Sequence, residues 1–320
     1  MKKIGLSLVA AVTLTAACAD GGPDPLSPDR AAFDVSATST CVPTGVGSLT
    51  ANYVNETPSD PFVVTCDIGI FYDQDGVVDG AVVEATIADA RAVQWGIRVE
   101  GANVDVVNST VTSEEGFPHQ FLGVGYLDGA TGTVRNNDIT GDHRVGVLIR
   151  GAGTDVSLDD NRIVGAGPKS TGWANNGIQI DQGSTATVKN NLVQDHWWNL
   201  DNFVSSGLYL DTEGVAVHHN TFRNNDAGMY LFGSGNNTLH NIVEVTYSEV
   251  DIEGIYGILV LGDDNGVRQS TITSAVEAGL GLGVWGSNTK LIRNTVSGWA
   301  DNLIDAGEGT KLPKPFAIDG

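Results

Sequence analysis

The chain has 320 residues, including 41 glycines, and its 39 acidic and 17 basic side chains give a formal net charge of −22. A surface this acidic repels the phosphates of DNA and RNA, so the composition argues against a nucleic-acid partner. The length is enough for one large core or for a long array of repeats.

The first residues have the pattern of an export signal. In residues 1–17, Lys2 and Lys3 precede an apolar run that ends in small residues and is too short to span a bilayer. The following Cys18 completes a Thr-Ala-Ala-Cys tetrad similar to a bacterial lipobox, which predicts a lipoprotein of the cell envelope or cell surface. Cleavage nearby and secretion without a lipid is the alternative. Residues 18–39 are predicted to hold the lipidated cysteine and a flexible tether rich in Gly, Pro and Asp.

Residues 40–320 are predicted to form one repeat domain. A glycine followed by an apolar-x-apolar triplet recurs about every 26 residues. A second alternating segment and a third apolar pair follow each triplet, so each period holds three short strands. Because a strand needs a neighbour for its backbone groups, the matching strand of the next period must supply it, which predicts a parallel β-helix. The repeated glycines are Gly96, Gly123, Gly146, Gly177, Gly207, Gly228, Gly257 and Gly281.

This repeat pattern resembles the right-handed parallel β-helix repeat (pectate-lyase-like) superfamily over roughly residues 40–304. The resemblance implies an all-β fold, a single-stranded right-handed parallel β-helix of about 8–10 coils with three short strands per coil. The superfamily includes polysaccharide lyases, glycoside hydrolases, uronan epimerases and non-catalytic members, so the fold alone does not choose an activity. The Gly-His-Gly, Asn-Thr-Asp, Arg-x-Lys and Asp-Pro-His motifs of catalytic members do not occur in this sequence.

The first coil is predicted to carry a disulfide. Cys41 and Cys66 are the two cysteines left in an exported protein, and their separation of 25 residues is close to one coil. Residues one coil apart lie about 4.8 Å from each other, within reach of a disulfide. The bridge would staple the end where no earlier coil protects the sheet edge.

A row of asparagines is predicted to occupy one turn of every coil. Asparagine tolerates the left-handed conformation and bonds its own backbone, so stacked copies can form an amide ladder. The residues preceding these asparagines, among them His219 and His240 with His218 alongside, are interpreted as an outward polar stripe rather than a metal site. The predicted ladder contains Asn108, Asn137, Asn161, Asn191, Asn220, Asn241 and Asn294.

No metal site and no other cofactor is predicted. The acidic turn with Asp73, Asp75 and Asp79 leaves calcium as an alternative, because clustered carboxylates bind it, although the spacing does not fit an EF-hand. Paired acids in other turns, such as Asp159-Asp160 and Asp263-Asp264, suit turn chemistry as well as glycosidic acid/base work.

Long segments at one corner are predicted to form a binding notch. They lie between the third strand and the next glycine strand, where a short segment is flanked by long ones, and DHWW (residues 195–198) is interpreted as the start of such a loop. The four segments are residues 114–122, 141–145, 165–176 and 194–206. The residues predicted around the notch are His119, Asp142, His143, Arg144, Lys169, Trp173, Asn175, Asp195, His196, Trp197, Trp198, Asn199, Asp201 and Phe203.

Two functions are compatible with this notch. Aromatic faces stack on sugar rings, so the first is the binding of a polysaccharide or cell-surface glycan; its predicted contacts are His119, Arg144, Lys169, Trp173, Asn175, Trp197, Trp198 and Asp201. The alternative is a carbohydrate-active enzyme, a lyase or hydrolase, with Asp142, His143, Asp195 and His196 as candidate acids and bases. The tryptophans can equally cap a packed core. The missing catalytic motifs favour binding.

Overall fold

In the computed structural model, residues 40–170, 172–199, 203–247, 254–312 and 317–319 are described. The predicted signal, tether and Cys18 lie outside these residues, as does Asp201. Within the described residues the regular structure consists of β-strands and one 3₁₀ turn, Ile87–Asp89. The strands form three sheets, and each coil between the two ends of the solenoid contributes one strand to each sheet in turn.

The first sheet is built from the glycine-containing strands. Its strand pairs are parallel except the first pair, which is antiparallel. In stacking order it contains β1 (Val42–Pro43), β2 (Thr50–Val54), β4 (Ile68–Tyr72), β7 (Val93–Glu100), β10 (Gln120–Leu127), β13 (Val145–Arg150), β16 (Asn176–Asp181), β19 (Ser206–Asp211), β22 (Ala227–Leu231), β25 (Tyr256–Val260), β28 (Leu280–Val284) and β31 (Asp301–Asp305).

The other two sheets are parallel throughout the described residues. The second sheet contains β5 (Gly76–Asp79), β8 (Val104–Val107), β11 (Thr131–Arg135), β14 (Asp155–Asp159), β17 (Thr185–Lys189), β20 (Ala216–His218), β23 (Asn237–Leu239), β26 (Gly266–Arg268) and β29 (Lys290–Ile292). The third sheet contains β3 (Phe62–Val63), β6 (Val82–Ala85), β9 (Thr110–Ser113), β12 (Asp138–Gly141), β15 (Arg162–Lys169), β18 (Leu192–Trp198), β21 (Thr221–Arg223), β24 (Ile242–Val245), β27 (Thr271–Ser274), β30 (Thr295–Ser297) and β32 (Ala317–Asp319). This architecture confirms the predicted solenoid and its three strands per coil.

The repeated glycines stand where each coil enters the first sheet. A Cβ atom there would lie 2.5–2.8 Å from the carbonyl oxygen of the matching glycine in the next coil for Gly96, Gly123, Gly146, Gly177, Gly207 and Gly228. Any side chain would therefore separate adjacent coils. The next apolar residue of each strand, such as Val124 or Ile178, points into the core and is fully buried.

The asparagine ladder is confirmed for six of its seven predicted members. Asn191 is typical: its Oδ1 accepts the backbone N–H of Asn161 at 3.0 Å, and its Nδ2 donates to Oδ1 of Asn220 at 2.9 Å. The prediction was wrong for Asn108, because Ser109 occupies the ladder position there and donates its N–H to Asn137.

At this turn, the residues in the left-handed region are those just before the ladder, with φ between 50 and 60°. They are all exposed, as expected of an outward stripe, and comprise Asn108, Asn136, Asp160, Asn190, His219, His240, Gln269 and Arg293. The ladder side chains themselves point inward, where they satisfy buried backbone groups.

A disulfide and an additional strand cover the N-terminal end of the solenoid. Cys41 and Cys66 form the predicted disulfide, with Cα atoms 5.7 Å apart, and β1 covers the edge of β2. A second apolar cluster, which includes Phe71 and Trp95, lies on the outer face of the first sheet and is covered by Leu49 and its neighbours. This apolar cluster extends along the first sheet as far as β13. Beyond β13 the outer face of the sheet is not part of the cluster.

Candidate functional site

The structure brings the predicted notch segments together, although their course differs from the prediction. DHWW does not begin a loop: β15 and β18 are both extended and pair with each other, with His196 opposite Gly167 and Trp198 opposite Lys169. The rings of Trp197 and Trp198 are 3% and 7% exposed, and Trp197 belongs to the main core. The physical reason is burial of two large apolar rings, which stabilises the longer strand.

The two histidines of the notch form a buried pair. His143 and His196 are both fully buried, and their Nε2 atoms lie 2.9 Å apart. Burial lowers the pKa of His196 to about 3, an effect that the hydrogen bond donated by His196 to Asn225 opposes and nearby Lys169 reinforces. Burial, His196 and Lys169 hold the pKa of His143 well below its usual range. Both imidazoles are therefore neutral at neutral pH.

The hydrogen-bond network fixes which ring nitrogens carry protons. Asn225 donates Nδ2–H to the carbonyl of Val193 at 3.0 Å, so its Oδ1 is an acceptor and His196 must donate from Nδ1, 3.0 Å away. Nε2 of His196 then accepts Nε2–H of His143. The remaining Nδ1 of His143 is buried without a hydrogen-bond partner among the described residues. The pair thus has the character of an interior network rather than of an exposed acid or base.

The acidic candidates in the notch are already paired. Asp142 is buried and forms a short ion pair with Lys169. Asp195, in the left-handed region at φ 63°, accepts a hydrogen bond from the hydroxyl of Tyr247 at 2.7 Å and another from Gln194. These contacts hold both carboxylates in place within the protein.

The predicted ligand contacts of the notch divide by exposure. His119 is exposed, and Trp173 is 47% exposed. Arg144 is half-buried, and burial together with nearby Arg150 lowers its pKa from the usual value. Asn175 is fully buried. Among the predicted ligand contacts that the structure describes, His119 and Trp173 are therefore the exposed ones.

A buried carboxyl that the sequence reading missed lies beneath this corner. Asp226 is 6% exposed and accepts the backbone N–H of Ser205 at 3.0 Å. Burial raises the pKa of Asp226 to about 7, although backbone hydrogen bonds from Ser205 and Trp198 oppose the effect. Ser205 in turn donates its hydroxyl to Asn175 at 2.9 Å, so three coils share one interior polar column.

A partly exposed aromatic surface lies on the outer face of the first sheet beyond β13. Tyr209 and Tyr230 are paired in adjacent strands with ring centroids 6.0 Å apart, and Phe232, 40% exposed, lies 5.5 and 4.5 Å from them. Burial is the main cause that raises the pKa of both tyrosines, with Asp211 and Asp181 contributing for Tyr209, so the phenols remain hydrogen-bond donors. We define the aromatic surface as Gln179, Tyr209, Asp211, Tyr230 and Phe232, with the buried carboxylate of Asp181 adjoining it.

Polar groups adjoin these rings in register. Asp181 pairs with Asp211 across β16 and β19, and Gln179 pairs with Tyr209. Arg150 binds Asp181 through two hydrogen bonds of 2.7 and 2.6 Å, and Gln179 donates to the same carboxylate at 2.7 Å. The result is a ring cluster beside an ordered set of hydrogen-bonding groups, spread over successive coils.

The acidic turn considered for calcium is internally bonded. Asp73 accepts from Asn55, Asp75 from the N–H of Asn103, and Asp79 from Asn108, all at 2.7–2.8 Å. Across the described residues, no three His, Cys, Asp or Glu side chains are grouped so that they could hold a metal ion. Nor does that part of the chain contain a helix long and apolar enough to cross a membrane.

The right handed beta helix region family model matches residues 63–204 and 95–272. The chain belongs to this family. None of the curated proteins matches the sequence.

The solenoid is also similar to solved structures at low identity. The periplasmic alginate epimerase AlgG has 13% identity and a TM-score of 0.44, with 85% of this chain and 76% of that chain covered. The Azotobacter vinelandii mannuronan C-5 epimerase AlgE4 A-module has 13% identity and a TM-score of 0.35, with coverage of 85% and 90%. The Dettilon tailspike protein has 11% identity and a TM-score of 0.42, with coverage of 76% and 60%. Similarity at this level carries no information on ligand or reaction.

Proposed function

We propose that this protein is an exported β-helix protein that binds a polysaccharide on its aromatic surface and does not transform it. The observation that carries the proposal is the cluster of the half-buried Tyr209 and Tyr230 with the exposed Phe232, beside the exposed carboxylate of Asp211. Aromatic rings offer apolar faces to the C–H faces of sugars, and carboxylates, amides and phenols exchange hydrogen bonds with hydroxyl groups.

The charge of the aromatic surface favours a neutral polymer. Asp181 and Arg150 neutralise each other, and the exposed carboxylate of Asp211 repels a uronic acid chain. Accessible groups of the notch, notably Trp173 and His119, are proposed to extend the contact along the polymer. The overall charge of −22 acts in the same direction.

The enzymatic alternative receives less support from the geometry. A general acid or base must come within hydrogen-bond reach of the bond it acts on. His143 and His196 are fully buried, Asp142 is paired with Lys169, and Asp195 is bonded to Tyr247. For that reaction the notch would have to open first.

Export and lipid anchoring at Cys18 form the second part of the proposal. The disulfide between Cys41 and Cys66 supports folding in an oxidising compartment. A lipid on Cys18 would hold the solenoid at the cell envelope through the tether. Growth of the native host with labelled palmitate should label the wild-type protein, whereas Cys18→Ser should remain unlabelled and leave the envelope fraction.

Affinity electrophoresis against soluble neutral glucans, mannans and xylans and against polyuronates tests the binding proposal. Tyr230→Ala and Phe232→Ala should each weaken binding to the preferred neutral polymer by roughly tenfold, about 1.4 kcal/mol. Ile242→Ala removes an exposed apolar side chain of the third sheet, 44% exposed, and serves as the matched control.

Product analysis in the same samples separates binding from catalysis. Reducing ends and unsaturated uronate absorbance should stay at the level of the blank, with and without calcium. New products would favour the enzymatic alternative. Equal retention of wild type and both aromatic variants on every polymer would show that the aromatic surface is not the binding site.

A further inference from the structure

Three histidines come together on the outer corner between the second and third sheets. Nδ1 of His218 and Nδ1 of His219 lie 3.1 Å apart, and the ring of His240, from the next coil, stacks on His219 with centroids 5.1 Å apart and planes 11° from parallel. His219 and His240 are exposed, and His218 is partly exposed. This cluster lies away from both the notch and the aromatic surface, and neither function uses it.

The backbone explains why adjacent side chains converge here. In a regular strand, neighbouring residues point to opposite faces. His218 ends β20, and His219 adopts φ 60°, so the chain turns and the second ring faces the first. His240 has φ 54° at the equivalent position one coil later, which places its ring over that of His219.

The separation of the two nitrogens fits a chelate. Transition metals bind imidazole nitrogen at about 2.0–2.1 Å, so two nitrogens 3.1 Å apart subtend an angle of about 100° at a shared ion. That angle lies close to the right angle between neighbouring ligands in tetragonal Cu²⁺ and Ni²⁺ sites. Imidazole is also a ligand type that these ions prefer.

A cation beside the two rings is already engaged. Lys189 lies opposite His218 across β17 and β20. Lys189 is itself paired with Asp159 at 3.0 Å. A neutral imidazole retains the lone pair that a metal requires.

We propose that His218 and His219 form a bidentate surface site for a divalent transition-metal ion of the copper or nickel type. Water completes the coordination, since the two rings supply only two ligands. His240 acts as a positioning residue that holds the ring of His219 by stacking. The simpler reading is a hydrogen bond from one Nδ1 to the other, and the two readings differ in their response to metal.

Isothermal titration with Cu²⁺ and Ni²⁺ at about pH 8 tests the proposal on the disulfide-bonded protein. The wild type should bind one ion of either metal. His218→Ala and His219→Ala should each reduce affinity about 100-fold, because a chelate is replaced by a single ligand. His240→Ala should cause a smaller loss of metal affinity. His119→Ala should leave the affinity unchanged, because His119 is an exposed histidine outside the cluster.

A spectroscopic measurement identifies the ligands directly. The Cu²⁺ electron paramagnetic resonance spectrum should show two equatorial nitrogens in the wild type and one in His219→Ala. Thermal unfolding without metal reports whether each variant is folded. The proposal is overturned if the wild type binds neither Cu²⁺ nor Ni²⁺. It is also overturned if the wild type and a folded double variant of His218 and His219 bind the metal equally, and only the hydrogen bond then remains.

Discussion

The carboxyl of Asp226 should make the stability of this solenoid depend on pH in a direction opposite to that of a salt-bridged acid. The pKa of Asp226 rises from 3.8 to about 7 because the group is buried. A raised pKa means that the unfolded chain releases this proton more readily than the folded one. The favourable effect of the protonated Asp226 carboxyl on the free energy of unfolding is therefore fully present below about pH 4. It is lost as the pH rises through about 7.

The magnitude follows from the difference of about 3 between the two pKa values. At 1.36 kcal/mol for each pKa unit, the ionised carboxylate costs the folded state at most about 4 kcal/mol. Asp226→Asn abolishes this titration while retaining an oxygen that can accept the N–H of Ser205. The variant should thus gain stability relative to wild type as the pH rises, by up to about 4 kcal/mol between pH 4 and pH 8.

Urea unfolding of both proteins across this pH range measures the difference. All other titrating groups are shared, so the change in the difference between the two curves reports on Asp226. Asp155→Asn, which changes an exposed carboxyl on β14, should give curves parallel to the wild type. Parallel curves for Asp226→Asn as well would refute the argument, because they would mean that Asp226 does not change its proton near neutrality.

Three further substitutions test the scaffold. Cys41→Ser removes a disulfide that closes 25 residues and should cost about 3.5 kcal/mol of unfolding free energy, with a matching loss in wild type under reducing conditions. Asn191→Ala removes buried hydrogen bonds to Asn161 and Asn220 and should lower the free energy of unfolding, measured in urea, by roughly 3 kcal/mol. A loss below about 0.5 kcal/mol would contradict a structural role for the ladder. Gly177→Ala places a Cβ 2.7 Å from the carbonyl oxygen of Gly207 and should lower the melting temperature by an amount equivalent to about 3 kcal/mol. The control is Gly266→Ala, because its Cβ would meet only side-chain atoms of Asn237 and Arg268, at 3.2 and 3.3 Å, and the loss should be much smaller.

The fold was predictable because its determinants recur. Each glycine of the triplet marks the close approach of two coils, and Asn137 or Asn191 marks the ladder one strand later. The error at Asn108 arose because two polar residues stand side by side, and a serine takes the inward position there. The sequence pattern cannot show which of two adjacent turn residues points inward.

The site was harder to predict because side-chain direction at the long corner depends on packing. DHWW appeared to be a loop, yet the burial of Trp197 and Trp198 keeps it in β18. Asp226 is found by counting two residues back from the repeated glycine, where Asn175 and Ser205 also stand.

The aromatic surface also had a signal in the sequence. Gly-Leu-Tyr-Leu and Gly-Met-Tyr-Leu place Tyr209 and Tyr230 at the same outward position of consecutive coils. Phe232 could not be assigned in this way, since it follows the end of β22. Its proximity to both tyrosines depends on the course of the turn.

The amide ladder makes each coil a template for the next. In the middle of the ladder each asparagine accepts at Oδ1 from the preceding coil and donates from Nδ2 to Oδ1 of the following one, so one coil is interchangeable with another at this seam. A duplicated coil would extend the solenoid by about 4.8 Å and leave both ends of the ladder intact. A single inserted residue would move an inward amide to the outside, as in any strand with period 2. Whole coils are therefore the units in which the length of this protein, and with it the reach of its aromatic surface, can change.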